Sequence, residues 1–407
     1  MAGIDAARAA AWDVMTGFDE GTIDRVADWI DARGLDQRDT ALARELSLGV
    51  VRHRALYDFI AATFLRPGPQ PPELLRTLRL LCHQLFALDR VPAHAAVDAA
   101  VELLHRAGMS KLAGVANAVA RKLVTVRDPE RHGDGPLGRI PERMLPGDPA
   151  VRHGLPKLLV ADLRPYLPGP EDESLAALNR VPHLCTRQRP GKPAPVGASI
   201  VRREGPWTWW DDSNEALSGP VAAGHAVVQD RSQGVVLDLT GARPGELVLD
   251  LCAAPGGKAL ALLDRGCRVI AADTAYDRLR TVRNALGGDS RLLVQDGRRP
   301  ALAAAFDLVV VDAPCSNSGV LARRPEARWR YDEAHLATLD VLQRQLIASG
   351  AGLVAPGGRL VYSTCSLSPR ENQGVAHRLD GWRLLAERTT WPDPWQAGGY
   401  AALLVRR

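Results

Sequence analysis

Two short motifs, DAPCS at 312–316 and TCS at 364–366, each place a cysteine just after an apolar run. A cysteine at a buried strand end is usually a small apolar filler, but a thiolate is also a strong nucleophile. C5 of cytosine is a poor nucleophile until a thiolate adds to C6, which makes C5 an enamine carbon that can attack an electrophilic methyl group. An acidic side chain such as Asp312 can accept a hydrogen bond from N4 of the base, share a proton with N3, and so stabilise the developing charge. This chemistry needs one thiol at C6 and leaves open whether Cys315 or Cys365 supplies it.

Three further carboxylates, Asp250, Asp273 and Asp296, follow successive predicted strands. The first opens DLCAAPGGK at 250–258, where a strand turns into a helix and glycines let a ligand approach the backbone. An acid after the second strand is placed to accept ribose hydroxyls, and one after the third can reach an adenine amino group. The turn is not the G-x-G-x-x-G of dinucleotide folds. Three such carboxylates in order predict a nucleoside pocket at the carboxyl edge of a sheet.

The elements that must position these residues alternate between strand and helix from residue 229 to 407. The predicted strands read as short continuous apolar runs, as buried parallel strands do: ELVLDLC, RVIAAD, RLLVQD, FDLVVVDAPC and GGRLVYSTC. Helical stretches separate them, which predicts a doubly wound, Rossmann-like α/β domain.

The chain before residue 229 divides into three predicted parts. Residues 1–130 show helical periodicity throughout, which predicts an all-α bundle. Residues 131–150 are rich in Gly and Pro and are predicted to be a linker. Residues 151–228 mix helical and strand-like pieces and predict a small α/β subdomain for RNA binding. Its WTWW cluster at 207–210 favours packing over the stacking of RNA bases.

Composition sets further limits. The chain has 407 residues, a formal net charge of +4 and six cysteines, with no C-x-x-C pair. We therefore expect several domains, no metal site and reduced thiols. The sequence has no apolar run of about 18 residues and no signal-peptide pattern at its start, so we expect no membrane partner and a cytoplasmic location.

Several stretches resemble the signatures of a known family. DLCAAPGGK, DAPCS-x-x-G-V, RRPEARWR and VYSTCSLSPRENQ are similar, in order and spacing, to those of the RNA cytosine-5 methyltransferases of the NOL/NOP/Sun group. The helical region resembles the NusB RNA-binding domain, for example in RELSLGVVRHRALYDFI. This combination resembles the bacterial small-subunit rRNA cytosine-5 methyltransferases. It implies S-adenosylmethionine as cofactor, RNA (16S rRNA) as substrate and a chain that acts as a monomer.

The resemblance also implies roles for individual residues. Cys365 becomes the nucleophile at C6, Cys315 assists release of the methylated product, and Asp312 contacts the target base. The implied S-adenosylmethionine site comprises Cys252, Ala253, Ala254, Pro255, Gly256, Gly257, Lys258, Asp273, Arg278, Asp296 and Asp312.

The sequence departs from the family pattern at several positions. Asn317 follows DAPCS, where the family usually has Gly, and Arg187 lacks the Asn usually found two residues later. The four arginines of RRPEARWR, at 323–330, favour contacts with phosphates.

Three alternatives to this function differ in their fit to the motifs. The same chemistry on tRNA or another rRNA site fits them equally well. A non-enzymatic RNA-binding or antitermination factor with a dead methyltransferase fold is disfavoured by the intact motifs. An amino-group methyltransferase is disfavoured because Cys315 stands where an aromatic residue would stack the base.

Overall fold

The computed structural model describes residues 5–127, 135–286, 291–303 and 306–407. The chain forms two compact units, and neither is a single continuous stretch. The first consists of Met1–Val160 with Arg324–Trp329, and the second of Ala161–Arg323 with Arg330–Arg407. The domain limits inferred from the sequence, at 130, 150 and 228, stay a prediction.

The first unit is helical over its described residues, as predicted for the NusB-like region. Its helices begin where the sequence supplies caps: the side chains of Asp5 and Asp36 accept backbone N–H groups at the starts of α1 and α3. The helices are α1 (Ala6–Asp19), α2 (Val26–Asp31), α3 (Gln37–Ala62), α4 (Pro72–Ala87), α5 (Ala93–Arg106), α6 (Ala113–Val126) and α7 (Pro149–Arg152). The next, α8 (Lys157–Leu163), contains the border between the units.

The second unit opens with a small antiparallel sheet. Two helices, α9 (Glu171–Ala177) and α10 (Ser213–Ala216), accompany its strands, which are β1 (Leu184–Gln188), β2 (Ile200–Glu204), β3 (Trp207–Trp210) and β4 (Ala226–Val228). The strand order is β2-β3-β1-β4. Strand β3 is WTWW, and its tryptophans are buried. Trp210 Nε1 donates to Thr186 Oγ1 at 2.9 Å, so this ring packs within the subdomain, as the sequence favoured. Trp209 Nε1 instead donates to the carbonyl oxygen of Trp395, which lies outside it.

The catalytic region is a seven-stranded sheet with helices on its faces, which confirms the predicted α/β class. Its strands are β5 (Leu247–Asp250), β6 (Arg268–Asp273), β7 (Arg291–Val294), β8 (Phe306–Asp312), β9 (Val354–Thr364), β10 (Trp382–Thr390) and β11 (Gly399–Arg406). Their order is β10-β11-β9-β8-β5-β6-β7. Strands β5 to β9 are parallel, whereas β11 runs antiparallel to β9 and β10 antiparallel to β11. The helices are α11 (Arg231–Thr240), α12 (Gly257–Asp264), α13 (Tyr276–Leu286), α14 (Glu333–Leu353) and α15 (Gln373–Ala376).

Strand β8 explains why the central strands read as unbroken apolar runs. Val309 and Val311 belong to one buried cluster, while Leu308 and Val310 belong to another. Because side chains alternate between the faces of a strand, both faces of the sheet are buried here. After the buried run Leu308–Val311, Asp312 comes where the strand ends, opposite Ser363 of β9.

Candidate active site

The predicted functional residues gather at the carboxyl ends of adjacent parallel strands. Asp250 closes β5, Asp273 closes β6, Asp312 closes β8, and Cys365 follows β9 directly. Parallel strands end at the same edge of a sheet, and open α/β sheets bind ligands at that edge. Asp296 lies two residues beyond β7 and forms a salt bridge with Arg298 at 2.7 Å. That guanidinium, by hydrogen bonding, lowers the pKa of Asp296 to about 2.

The two cysteines of the opening motifs meet. The Sγ atoms of Cys315 and Cys365 lie 3.1 Å apart, and both thiols are free. Cys315 is buried, and its hydrogen bond with Cys365, followed by burial, raises the pKa of its thiol well above the usual value. Cys365 is half-buried. The two sulfurs are therefore neighbours in different environments, and the buried one is held as a thiol.

A cavity opens beside Cys365. Its lining comes from α11, α12, the ends of β8 and β9, and the hairpin β10–β11. The lining residues are Ser232, Gln233, Val235, Val236, Lys258, Asp312, Thr364, Cys365, Arg388, Thr390, Gly398, Gly399, Tyr400 and Ala401. Cys315 is not among them, so Cys365 is the cysteine that faces this space together with Asp312.

Asp312 is held in place from two sides. Lys258 Nζ donates to Asp312 Oδ2 at 2.6 Å, and Ser363 Oγ donates to Asp312 Oδ1 at 2.8 Å. Lys258 is buried and also donates to Gln233 Oε1 at 3.2 Å. Lys258, a residue of the predicted cofactor loop, thus fixes Asp312, the residue predicted to contact the target base. Sequence reasoning missed Ser363 and Gln233: the first lies within VYSTCSLSPRENQ but was given no role there, and the second belongs to none of the motifs.

Glu371, from the SLSPRENQ stretch, ties the two cysteine loops together. It is 2% exposed. Its Oε1 accepts from Ser316 N at 2.8 Å and from Gln343 Nε2 at 3.0 Å. Its Oε2 accepts from the hydroxyls of Ser316 and Ser366, each at 2.5 Å. Because each serine directly follows a cysteine, one buried carboxylate sets the spacing of the two thiols. The signal in the sequence was the repeated Cys-Ser pair, which the sequence analysis did not connect to Glu371.

Two further contacts lock the same loops. Thr364 Oγ1 donates to Asn372 Oδ1 at 2.6 Å, and Asn372 Nδ2 donates to Ser366 O at 3.0 Å. Gly319 N donates to Cys365 O at 2.9 Å. A Cβ on Gly319 would lie 2.8 Å from that carbonyl oxygen, closer than real Cβ atoms come. The glycine of DAPCS-x-x-G is thus explained by a close backbone approach.

The loop between β5 and α12 forms a cradle beside Asp273. Gly256 has a φ of +105°, which glycine adopts most readily. Asp273 Oδ2 accepts from Ala254 N at 3.2 Å, and Asp273 Oδ1 accepts from Arg278 Nη2 at 3.0 Å. Burial raises the pKa of the Cys252 thiol, so this cysteine stays protonated and packs as a small apolar side chain. The structure therefore brings the predicted cofactor residues together, with Asp296 lying apart on Arg298.

Asp250 supplies a test of the cofactor. Its side chain is 1% exposed, and neither carboxyl oxygen makes a hydrogen bond of normal geometry among the described residues, although the backbone N–H of Ala259 acts to lower its pKa. Burial raises its pKa to about 7, against the influence of nearby Lys258. A buried carboxyl group without a partner suits a cationic ligand. S-adenosylmethionine carries an ammonium and a sulfonium group, so the residues fit it.

Two groups of candidate RNA contacts have other roles in the structure. Arg187 is buried and donates to Gln229 Oε1 at 2.7 Å and to Asp264 Oδ2 at 2.8 Å. In RRPEARWR, Arg328 is 1% exposed and donates to the carbonyl oxygens of Arg52 at 2.6 Å and Gly154 at 3.0 Å. The prediction of phosphate contacts is therefore wrong for Arg328, whose guanidinium fills an interior position.

The described part of the chain contains neither a membrane-spanning helix nor a cluster of metal ligands. No helix there has both the length and the apolar character needed to cross a membrane. The same residues contain no group of three or more His, Cys, Asp or Glu side chains arranged to hold a metal ion.

Two family descriptions match the chain. The family described as 16S rRNA methyltransferase RsmB/F matches residues 237–390, and the NusB family matches residues 6–125. The first covers the strand ends and loops that carry the candidate site, and the second covers helices α1 to α6.

Individual proteins match over most of their length. A putative methyltransferase of Mycobacterium tuberculosis is 36% identical over 84% of this chain and 79% of its own. A probable ribosomal RNA small subunit methyltransferase B of Synechocystis is 33% identical over 88% of this chain and 85% of its own. The crystal structure of PH0851 superposes with a TM-score of 0.74 at 21% identity, covering 99% of both chains, and thus shares the fold.

Proposed function

Because the chain belongs to the 16S rRNA methyltransferase RsmB/F family, we propose that it methylates C5 of a cytosine in small-subunit ribosomal RNA. It is an S-adenosylmethionine-dependent RNA methyltransferase; the atom modified and the choice of 16S rRNA are the finer parts of the proposal. The proposed catalytic residues are Cys365, Cys315 and Asp312.

One observation carries the assignment of roles. Cys365 lines the cavity that also presents Asp312, whereas Cys315 is buried behind it and contacts it at 3.1 Å. A nucleophile must reach the base, so the accessible sulfur suits addition to C6. A buried thiol with a raised pKa is poorly suited to attack but retains a proton near the adduct. This supports the role of Cys315 in product release.

The reaction proceeds by making and breaking one bond at sulfur. Cys365 gives up its thiol proton to solvent, its Sγ bonds to C6, and the electron pair of the C5–C6 double bond becomes available at C5. Asp312, held by Lys258 and Ser363, hydrogen-bonds the base edge and stabilises the charge that develops there. After methylation, C5 loses its proton and the C6–Sγ bond breaks, which restores the aromatic ring and frees Cys365.

The proposed cofactor site comprises the 252–258 loop together with Asp273, Arg278, Asp296 and Asp312, as predicted from the sequence, and the structure adds Asp250. When bound, S-adenosylmethionine supplies the electrophilic methyl group. The orphan carboxylate of Asp250 would hold a positive group, and Asp273 would accept ribose hydroxyls. Asp296 would have to leave Arg298 in order to contact the adenine.

The setting of the reaction follows from the same residues. We propose a monomer as the catalytic species, since the proposed catalytic residues already meet within a single folded chain. A ribosomal RNA substrate supports action in the cytoplasm, where ribosomes assemble.

Two cysteine variants test the proposal. We expect Cys365→Ala to abolish transfer of labelled methyl to unmodified 16S rRNA. We expect Cys315→Ala to accumulate an RNA–protein adduct that survives a denaturing gel, because addition proceeds while release is impaired. Bisulfite sequencing of 16S rRNA from cells with and without the gene would locate the methylated cytosine.

Each wrong outcome has a distinct meaning. If Cys365→Ala traps the adduct instead, the two cysteine roles are reversed. If methyl transfer goes to tRNA or to another rRNA and not to 16S rRNA, the chemistry stands and the substrate assignment fails. If no RNA accepts methyl while cofactor binding is measured directly, the proposed activity is wrong.

A further inference from the structure

Asn317 combines an unusual backbone conformation with a contact to the proposed nucleophile. Its φ is +61°, and no other non-glycine residue among those the structure describes has a positive φ. Asn tolerates this left-handed region better than most residues, though less readily than glycine. A turn that required the conformation alone would be served best by glycine. The side chain of Asn317 therefore needs an explanation beyond the turn.

The two ends of the Asn317 amide reach different cysteines. Nδ2 donates to the backbone carbonyl of Cys315 at 3.0 Å. That bond fixes which end of the amide is which, because a carbonyl oxygen can only accept. Oδ1 consequently faces the other loop, where it accepts from Cys365 Sγ at 3.2 Å. The amide thus bridges the loops that follow β8 and β9.

These contacts form an ordered series of donors. The S–H of Cys365 donates to Asn317 Oδ1, which leaves the S–H of Cys315 free to donate to Cys365 Sγ across 3.1 Å. In this arrangement the sulfur of Cys365 has a fixed acceptor for its proton, Asn317 Oδ1, and one donor at its lone pair, the S–H of Cys315. Without Oδ1, the S–H of Cys365 has Cys315 Sγ as its remaining polar contact among the described residues, and the direction of the series can reverse.

We propose that Asn317 is a positioning residue for Cys365, whose side-chain oxygen orients the nucleophilic sulfur before it attacks C6. This inference rests on the proposed function, since it takes Cys365 as the nucleophile. Asn317 acts through Cys365 and is not itself assigned a contact with the base. Loss of one neutral hydrogen bond of this kind should slow adduct formation by about threefold to tenfold.

Asn317→Gly provides a clean test, because glycine keeps the left-handed backbone and removes the amide. The substitution is made in the Cys315→Ala background, in which the covalent adduct accumulates. The single-turnover rate of adduct formation on unmodified 16S rRNA is measured beside cofactor affinity, RNA affinity and melting temperature. We expect the rate to fall about threefold to tenfold, with the two affinities and the melting temperature unchanged.

Asn317→Ala is the matched control for the backbone. It also removes the amide but forces a β-carbon into the left-handed region, so its melting temperature should fall below that of Asn317→Gly. Equal adduct rates in the two variants, despite different melting temperatures, would attribute the effect to the side chain.

Two results would overturn the inference. One is an Asn317→Gly rate equal to that of the Cys315→Ala parent. The other is a slower rate accompanied by a matching loss of RNA or cofactor affinity, which would indicate a role in the shape of the loop. If the Cys315→Ala parent forms no adduct with Asn317 intact, the proposed function fails first, and the inference falls with it.

Discussion

At the scale of single residues, Asp250 predicts that the affinity for the cofactor depends on pH. Its buried carboxyl group has a pKa raised to about 7, so it is protonated over part of the range in which an ordinary aspartate is ionised. A cation binds the ionised form better. We therefore expect S-adenosylmethionine to bind more tightly as the pH rises from about 6 to about 8, and to release protons on binding near the lower end. Isothermal titration calorimetry in buffers of different ionisation enthalpy measures both effects.

Asp250→Asn is the control for this prediction. The amide keeps the shape of the side chain but does not titrate, so the pH dependence of cofactor affinity should disappear along with part of the affinity. An unchanged pH profile in Asp250→Asn would locate the titrating group elsewhere.

The same carboxyl group also affects stability in the absence of cofactor. Its pKa is higher in the folded than in the unfolded chain, so its contribution to folding is fully present below the unfolded value of 3.8 and is lost as pH rises through about 7. The full change corresponds to roughly 4 kcal/mol. Asp250→Asn should therefore flatten the dependence of the unfolding free energy on pH in urea titrations.

At the scale of elements, the site depends on two loops held at a fixed separation by Glu371. We expect Glu371→Ala to destabilise the fold by about 2–3 kcal/mol, because it leaves the Ser316 N–H and one of the two N–H groups of the Gln343 amide buried without an acceptor, the other still donating to Pro314 O. The turnover number should fall further than cofactor affinity, since the thiols lose their spacing. Thermal unfolding and methyl transfer measured together would separate these two effects.

Glu371→Gln is the matched variant. Its carbonyl oxygen can keep the bonds from Ser316 N and Gln343, while its NH2 group can donate to the two serine hydroxyls, which rotate to accept. Most stability and activity should return. Full activity in Glu371→Ala would mean that the backbone alone sets the spacing of the thiols.

The sequence predicted the central strands well and the later elements poorly, for a physical reason. Strands buried on both faces read as apolar runs, so β5, β6, β8 and β9 and their terminal residues could be predicted. Strand β10, WRLLAERTT, alternates between buried and exposed residues and carries polar side chains, so it went unpredicted. Its Arg388 and Thr390, which line the cavity, were missed with it.

Hydrogen bonds between side chains of different loops could not be predicted from the sequence. Nothing local indicates that Glu371 meets Ser316, or that Lys258 bonds to Asp312 and so links the 252–258 loop to the end of β8. Such pairs are fixed by the packing of whole strands, and a motif shows only which residues are present.

At the scale of the whole molecule, the Arg324–Trp329 segment belongs to the helical unit although it follows the catalytic loop in sequence. Arg328 bonds two carbonyls there, and Trp329 Nε1 donates to Val51 O at 2.9 Å. Arg328→Ala should lower the unfolding free energy by about 2–4 kcal/mol, through a cavity and the loss of its hydrogen bonds to the carbonyl oxygens of Arg52 and Gly154.

Arg328→Met serves as the comparison for this prediction. It fills the space and removes the buried charge, so its cost should be smaller. Hydrogen exchange of the α3 amides would report the effect locally. If both variants leave α3 protection unchanged, the segment does not support that helix.

Because the helical unit consists of two separate stretches of the chain, it cannot be exchanged between proteins as one continuous piece. A helical unit cut out as residues 1–160 lacks the six residues, 324–329, that complete it. Joining that fragment to the methyltransferase of another protein would leave the Arg52 and Gly154 carbonyls without their guanidinium, unless the host's loop supplied an equivalent arginine. Exchange of the helical part between relatives therefore requires two matched pieces, one that precedes the strands of the seven-stranded sheet and one inserted between β8 and β9.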